Sequence, residues 1–258
     1  MHSTEEKLKA FERLLEIMDE LREKCPWDRE QTMGSLRNLT IEETYELADA
    51  IMDEDLEEIR KELGDLTLHI VFYAKIGSEK GAFDIADVLN GINSKLVFRH
   101  PHVFGERKVK DSGEVIENWE ELKMKEGNRS VLAGVPVSLP AMIKSHRIQD
   151  KARAVGFDWD HKEQVWDKVS EEINEVKHEL MNGMRKEKTE EEIGDLLFSI
   201  VNAARLYDIE PETALERTNR KFIKRFKYLE AKAGQMGKSL KDMNLEEMEA
   251  IWQEAKSI

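Results

Sequence analysis

Residues 41–65, IEETYELADAIMDEDLEEIRKELGD, carry acidic residues at helical spacing, and this pattern predicts the fold of the whole chain. The acidic residues concerned are Glu42, Glu43, Glu46, Glu62 and Asp65. Side chains three or four positions apart share one face of an α-helix, so two adjacent helices can direct five carboxylates at one point. Oxygen ligands suit hard cations such as Mg²⁺, although acidic runs also occur on solvated helix faces. The stretch predicts a helical hairpin with a candidate metal site.

Composition indicates a mostly helical protein that binds neither membrane nor nucleic acid directly. Of the 258 residues, 36% are charged, and glycine and proline are few, at 14 and 5. The net charge of −14 repels the phosphates of nucleic acids and anionic lipids. The single Cys25 excludes an internal disulfide, and we find no signal peptide or membrane span in the sequence. We therefore expect a cytoplasmic location.

The order of helices follows from capping signals and apolar periodicity. Ser3 or Thr4 is suited to cap a first helix that ends near Pro26. Thr40 and Glu43 match a capping box, which predicts that the acidic helix begins there, with its acids in the first two turns. A second helix is expected from about Asp55, and further helices after residue 81.

A composition change divides the chain, and the pattern of acids repeats beyond it. Residues 128–140 hold two prolines and little charge, so we interpret them as a linker between domains at 1–127 and 141–258. The second domain repeats the acids of the first 129 or 130 residues later. These second-copy acids are Glu171, Glu172, Glu175, Glu192 and Asp195. A duplicated pattern is much stronger evidence for a site than a single one.

Flanking residues repeat in the same order as the acids. The Trp-Asp pair at 27–28 recurs at 159–160. After the acids, a polar motif of the first half, Asn93, Lys95 and Arg99, recurs in the second as Asn219, Lys221 and Arg225. Closer to the end of each half, Trp119 and Lys123 recur as Trp252 and Lys256. Since four separated features duplicate together, each half contains one copy of the same candidate site.

The combination of EExxE, ExxD, CPWDREQT, RHPHVFG and GVPVSLPA resembles the MazG nucleoside triphosphate pyrophosphohydrolases in their two-domain form. The resemblance implies an all-α fold of tandem helical domains that form helix bundles through dimerisation. It also implies Mg²⁺-dependent hydrolysis of nucleoside triphosphates to a monophosphate and pyrophosphate, with Mn²⁺ as a possible substitute. By this resemblance the first five acids form one metal site, and the second five form the other.

The chemistry assigns a role to each residue type. Attack of water on the α-phosphorus requires cations that neutralise the phosphates, and one carboxylate, Glu43 or Glu172, is expected to accept the proton from the water. The paired Lys and Arg residues and Asn93 or Asn219 are predicted to bind phosphate or sugar, and the tryptophans to stack on the base. Lys188, in a basic loop found only in the second copy, is also a candidate phosphate ligand.

Several alternatives stay open at this stage. A di-iron or di-manganese oxidase also uses carboxylates on four helices, but it typically contains Glu-x-x-His motifs, whereas here the fourth residue is aspartate. A noncatalytic helical scaffold, or one catalytic and one structural or regulatory domain, is also compatible with the pattern. His69 is replaced by Ser199 in the second copy and is interpreted as a helix-face residue rather than a ligand.

Overall fold

The computed structural model describes residues 1–111, 113–115, 118, 122, 130–183 and 185–257. The chain divides into two compact units, Met1–Lys110 and Asp111–Ile258. Every regular element in these described ranges is a helix, which confirms the prediction of an all-α fold. Among the same residues, no helix is long and apolar enough to cross a membrane.

Six helices form the first unit. They are α1 (Thr4–Lys24), α2 (Pro26–Glu30), α3 (Met33–Met52), α4 (Leu56–Glu79), α5 (Ile85–Arg99) and α6 (Pro101–Phe104). Ser3 and Glu6 form a capping box at the start of α1, and α1 ends just before Pro26, as predicted. Asp55 caps α4: its side chain accepts hydrogen bonds from the backbone amides of Glu57 and Glu58.

The predicted start of the acidic helix at Thr40 is wrong. The N-cap of α3 is Thr32, which forms a capping box with Ser35, so the helix begins two turns earlier. Thr40 lies inside the helix, where its hydroxyl bonds the Leu36 carbonyl and the Tyr73 hydroxyl, 2.7 Å away. The backbone of Thr32 is extended, as an N-cap requires. Leu36 lies in the helical turn before Thr40 and is buried in the core, and this burial keeps Thr40 within the helix. The acids therefore lie in the middle of α3.

Apolar side chains of α1, α3 and α4 form the core of the first unit. The fully buried members are Met18, Leu36, Val71, Phe72 and Ile76. Leu39 packs against this cluster from α3. Since α3 and α4 are joined by only three residues, with Glu54 in the left-handed region at φ 55°, they must pack as an antiparallel hairpin.

The second unit contains a similar hairpin. From residue 130 onward its described α-helices are α7 (Ala141–Arg153), α8 (Val165–Met181), α9 (Lys186–Leu206), α10 (Pro211–Gln235) and α11 (Leu245–Ala255). The turn between α8 and α9 includes Gly183 at φ 102°, a conformation that glycine adopts without a steric penalty. Val165, Val169 and Ala203 form the buried cluster between these two helices.

The segment that precedes α7 is attached to that helix through backbone carbonyls. The Lys151 ammonium donates to the Val131 carbonyl at 3.2 Å, and the Lys144 ammonium donates to the Val137 carbonyl at 2.5 Å. These bonds hold residues 131–137 against α7 within the second unit. The assignment of residues 128–140 as a linker stays a prediction.

Truncation of a core side chain in α1 should destabilise the first unit. Met18 is 1% exposed, so Met18→Ala should lower the free energy of unfolding by about 2–5 kcal/mol, through lost burial and a residual cavity. Leu8→Ala, on the same helix but 65% exposed, is the matched control and should change stability by about 0.5 kcal/mol or less. Chemical denaturation followed by circular dichroism measures both; equal losses would contradict the core assignment.

Candidate functional site

The hairpin of α3 and α4 brings three acids together in the first unit. One carboxylate oxygen each from Glu43, Glu62 and Asp65 lies within 4.8 Å of the other two. Glu43 comes from α3, and the other two lie one turn apart on α4. Glu42 and Glu46, also predicted ligands, are exposed on α3 and lie outside this group. Three of the five predicted acids therefore form a compact set, the first acidic cluster.

Burial and mutual repulsion raise the pKa values of two members of this cluster, Glu43 and Glu62. Glu62 is 9% exposed, and its Oε2 has no hydrogen-bond partner in the described part of the chain. Burial, together with the charges of Glu43 and Asp65, raises the pKa of Glu62. Burial likewise raises the pKa of Glu43, and Asp65 and Glu46 add to this effect. An unpartnered buried carboxylate oxygen is unfavourable unless a cation or a proton binds it.

The hairpin of α8 and α9 repeats this arrangement. One carboxylate oxygen each from Glu172, Glu192 and Asp195 lies within 4.8 Å of the other two, and we call this group the second acidic cluster. Glu172 is 4% exposed, and its Oε2 also has no partner among the residues described. Partial desolvation and the charges of Glu192 and Glu172 raise the pKa of the nearby Glu175. Glu171 is exposed and outside the group.

Two lysines contact the second cluster. The Lys168 ammonium lies 2.7 Å from Glu172 Oε1 and 3.0 Å from Glu171 Oε1. Lys188 lies 3.5 Å from Glu192 and 3.4 Å from Glu179. Sequence reasoning identified Lys188 but missed Lys168. The available signal was its position four residues before Glu172, where the first copy has Leu39 four residues before Glu43.

The residues of the second cluster line two pockets of different character. A cavity of about 930 Å³ has mostly apolar walls and includes Glu172 and Asp195 in its lining. A smaller pocket of about 420 Å³ is lined by acidic and basic residues that include Glu192 and Lys188. Two members of the cluster, Glu172 and Asp195, therefore border the apolar cavity, and the third, Glu192, borders the polar pocket.

The lining of the large cavity includes four residues whose counterparts in the first unit are apolar core residues. Four pairs of equivalent positions differ between the units. Three pairs are aligned by the spacing of the acids, and the fourth is aligned by Arg22 near the end of α1 and Arg153 at the end of α7. The pairs are Met18 and Gln149, Leu36 and Val165, Leu39 and Lys168, and Phe72 and Asn202. The first-unit members are apolar and pack in its core. Shorter or polar residues at the second-unit positions leave the space open.

Of the other predicted site residues, those that the structure describes lie on or next to helices that do not carry the acids. Asn93, Lys95 and Arg99 belong to α5, and Asn219, Lys221 and Arg225 to α10. Trp252 packs against Phe222, with ring centroids 5.0 Å apart, and Lys256 follows α11. Trp119 and Lys123 lie outside the described residues. Their roles in substrate binding stay predictions.

His69 is buried on α4 and one turn beyond Asp65. Burial lowers its pKa, and the nearby Asp65 carboxylate only partly opposes this effect. The neutral form is therefore favoured. Among the described residues His69 is not a member of either acidic cluster, and its interpretation as a helix-face residue stays a prediction.

The two clusters fit a divalent cation. Each offers three convergent carboxylates, and each contains a buried oxygen that nothing in the described chain satisfies. Hard divalent cations prefer such oxygen ligands. Both clusters consist of carboxylates alone, with aspartate where Glu-x-x-His sites have histidine.

Comparison with known proteins identifies the family. The model of the MazG nucleotide pyrophosphohydrolase domain matches residues 31–104 and 161–229, and these ranges contain the two acidic clusters. The chain is 43% identical to the nucleoside triphosphate pyrophosphohydrolase of Escherichia coli K12, over 96% of this chain and 98% of that protein. It is 41% identical to the nucleoside triphosphate pyrophosphohydrolase/pyrophosphatase MazG of Thermotoga maritima, over 95% of each. Two matched domains and near full-length similarity confirm the resemblance seen in the sequence: the chain belongs to the MazG nucleotide pyrophosphohydrolase family.

Proposed function

We propose that this chain hydrolyses nucleoside and deoxynucleoside triphosphates to a nucleoside monophosphate and pyrophosphate, with Mg²⁺ as cofactor and Mn²⁺ as a substitute. Non-standard nucleotides of the cellular pool are included among the proposed substrates. The proposal is supported by the names of the full-length relatives and by the two carboxylate clusters with their unpartnered buried oxygens. Water attacks the α-phosphorus, the bond from that phosphorus to the bridging oxygen breaks, and pyrophosphate leaves with that oxygen.

Each cluster would hold the cation through its own carboxylates. In the first unit these are Glu43, Glu62 and Asp65, with Glu42 and Glu46 at the edge. In the second they are Glu172, Glu192 and Asp195, with Glu171 and Glu175 at the edge. A bound divalent cation offsets phosphate charge and makes water easier to deprotonate. Without it, the acids would repel the substrate.

Protein groups supply the remaining functions in this proposal. Glu43 and Glu172 are the proposed proton acceptors for the attacking water, since each belongs to a convergent set of carboxylates. Lys188 is positioned to attract the leaving phosphates, because it borders the polar pocket beside Glu192. Lys168 balances the charge of Glu172 and Glu171 until substrate and cation bind.

We propose that the second cluster is the principal catalytic site. Within the described residues, the second cluster has lysines in contact with its acids and a large cavity beside it. The equivalent space in the first unit is filled by Phe72 and Met18. The first cluster would then bind a cation and contribute mainly to structure or regulation.

A homodimer in the cytoplasm is also proposed. Exposed apolar side chains repeat at matching positions on α4 and α9, with Leu63 and Ile70 in the first unit and Ile193 and Ile200 in the second. These side chains are 43–51% exposed, and each pair is separated by seven residues, so each pair lies on one helix face. Covering such a stripe with a second copy would complete a helix bundle.

Replacement of a cluster acid should reduce pyrophosphate release. Glu192→Gln keeps the shape of the side chain but removes a ligand charge, so kcat/KM with Mg²⁺ and ATP should fall by about tenfold to a hundredfold or more. Glu62→Gln should have a smaller effect if the second cluster is the principal site. Ion chromatography of the products distinguishes pyrophosphate and AMP from orthophosphate and ADP.

Glu191→Gln is the matched control for this experiment. Glu191 is adjacent to Glu192, exposed and outside the cluster, so the same change of charge should leave the rate within about twofold. Orthophosphate and ADP as primary products would contradict the proposed reaction. Equal loss of activity in Glu191→Gln and Glu192→Gln would contradict the assignment of ligands.

The response to Mg²⁺ should depend on pH. Because the pKa values of Glu43 and Glu62 lie above the ordinary 4.5, protons compete with the cation at higher pH than for ordinary glutamates. The rise in Tm produced by Mg²⁺ should therefore shrink as the pH is lowered from about 7.5 to about 5.5. Differential scanning fluorimetry measures this dependence.

The Glu62→Gln variant tests whether the first cluster causes this pH dependence of the Mg²⁺ effect. It should raise the Tm of the metal-free protein at neutral pH, because a raised pKa means that the charged form is destabilised in the folded chain. It should also reduce the Mg²⁺-dependent rise. Glu57→Gln, at an exposed position of the same helix, should leave that rise unchanged. A lower metal-free Tm in Glu62→Gln would show that the cluster is not repulsive.

The proposed dimer is tested at the apolar stripe of α9. Ile200→Glu places a charge on the stripe and should shift the protein from dimer to monomer in light scattering coupled to size-exclusion chromatography. Leu8→Glu, at a 65% exposed position of α1, should leave the dimer intact. A wild-type protein that is monomeric at micromolar concentration would contradict the proposal.

A further inference from the structure

His178 lines the polar pocket beside the second acidic cluster. It lies in the last turn of α8, three residues after Glu175, and it is exposed. The pocket has a volume of about 420 Å³, and its lining includes Glu192 of the cluster and Lys188. The imidazole is therefore accessible to a ligand that occupies this pocket.

Asn182 determines which nitrogen of this imidazole carries the proton. Its Nδ2 lies 2.9 Å from the His178 backbone carbonyl oxygen and 2.9 Å from the His178 Nδ1. A backbone carbonyl only accepts hydrogen bonds, so the Asn182 atom that faces it must be the amino nitrogen. The same amino group then donates to Nδ1, and a ring nitrogen that accepts carries no proton. In the neutral ring the proton is therefore on Nε2.

The Nε2–H group is left to bind a ligand. Among the described residues, the only hydrogen-bond partner of the His178 ring is Asn182, which is bonded at Nδ1. Asn182 is not part of the pocket lining, whereas His178 is. The ring thus offers the pocket a donor whose direction is set by the hydrogen bond on its other nitrogen.

The acids of the lining do not prevent an anion from binding in this pocket. Glu179 is paired with Arg185 and Lys188, at 3.3 and 3.4 Å. The other acids of the lining lie beside Lys168 or beside the proposed cation: Glu171, Glu175 and Glu192. Once that cation is bound, the groups left to contact a phosphate are donors, namely the Lys188 ammonium and the His178 Nε2–H.

The equivalent positions of the first unit carry carboxylates instead of donors. The acids align α3 with α8 at a distance of 129 residues, and Glu62 with Glu192 at 130. The pairs that follow are Asp49 and His178, Asp53 and Asn182, and Glu58 and Lys188. Negative charge at all three positions of the first unit opposes the binding of a polyanion there. The donors belong to the unit that we propose as the principal catalytic site.

We propose that His178 binds the terminal phosphates of the substrate, by donating its Nε2 hydrogen to an oxygen of the pyrophosphate group that leaves. Asn182 is a positioning residue, because it acts through the His178 ring. A neutral donor contributes a directed hydrogen bond without a further positive charge that would retain the product. This inference rests on the proposed function and adds a binding residue for the leaving group.

The test compares ligands with and without the terminal phosphates. Isothermal titration calorimetry with excess Mg²⁺ measures the Kd of inorganic pyrophosphate and of AMP. His178→Ala should raise the Kd of pyrophosphate about tenfold, because a hydrogen bond to a charged group is lost. The Kd of AMP should stay within about twofold, since AMP lacks the β- and γ-phosphates. Inhibition of ATP hydrolysis by added pyrophosphate should weaken by the same factor.

Further variants distinguish hydrogen bonding from a structural effect. His178→Gln places an amide N–H close to the position of Nε2 and should keep the Kd of pyrophosphate within about threefold of the wild-type value. His2→Ala, at an exposed histidine of the first unit, should leave both Kd values unchanged. If His178→Ala fails to fold by circular dichroism, His178→Leu takes its place.

Nitrogen-15 NMR of the histidine rings reads the tautomer directly. The signals absent from His178→Gln belong to His178, and in the wild-type protein they should show the proton on Nε2. Asn182→Ala removes the donor to Nδ1 and should reduce this preference.

The outcomes separate this inference from the proposed function. Absence of pyrophosphate release from ATP in the wild-type protein would contradict the proposed function. Release of pyrophosphate, together with an unchanged Kd for pyrophosphate in folded His178→Ala, would overturn the role of His178 and leave the proposed function intact. Equal weakening of pyrophosphate and AMP, or a wild-type ring protonated on Nδ1, would overturn it as well.

Discussion

Repulsion between closely packed carboxylates is the constraint on which both halves of this molecule depend. In each unit a helical hairpin holds three acids so that one oxygen of each lies within 4.8 Å of the others. Such proximity opposes folding, because like charges with little solvent between them raise the free energy of the native state. The apolar cores beside the hairpins must offset this cost. Strong helix caps at Thr32 and Asp55 in the first unit also stabilise its hairpin.

The two units hold similar acidic clusters but differ in the side chains packed beside them. The first fills the space beside its cluster with Met18 and Phe72, and gains the free energy of a closed apolar core. The second leaves this space open and lines part of it with Gln149 and Asn202. An open cavity forgoes packing energy, and its polar lining adds a desolvation cost. Duplication allows such a division, since one copy can retain stability while the other specialises in binding.

The helices and the acids could be predicted from sequence because their signals are local and periodic. Spacing of three and four residues placed Glu43, Glu62 and Asp65 on helix faces, and duplication separated a site from an ordinary acidic surface. The start of α3 was mispredicted because Thr32 and Thr40 both have side chains that can cap a helix. Burial of Leu36 in the core requires a helix that already includes Leu36, so Thr32 is the N-cap. Lys168 was not predicted as a site residue: its spacing of four residues from Glu172 is visible in the sequence, but its contact with the carboxylate is seen only in the structure.

The ion pair of Asp158 and Arg205 has a consequence for the cavity. Arg205, 5% exposed on α9, donates to both carboxylate oxygens of Asp158, at 2.5 and 3.1 Å. Asp158 lies between Phe157 and Trp159, whose aromatic rings form part of the cavity wall. Through this ion pair, the aromatic part of the wall is attached to α9, the helix that carries Glu192 and Asp195. The wall is thus organised before any ligand arrives. A molecule that enters meets a preformed surface, and its affinity is not reduced by the entropy of ordering a loop.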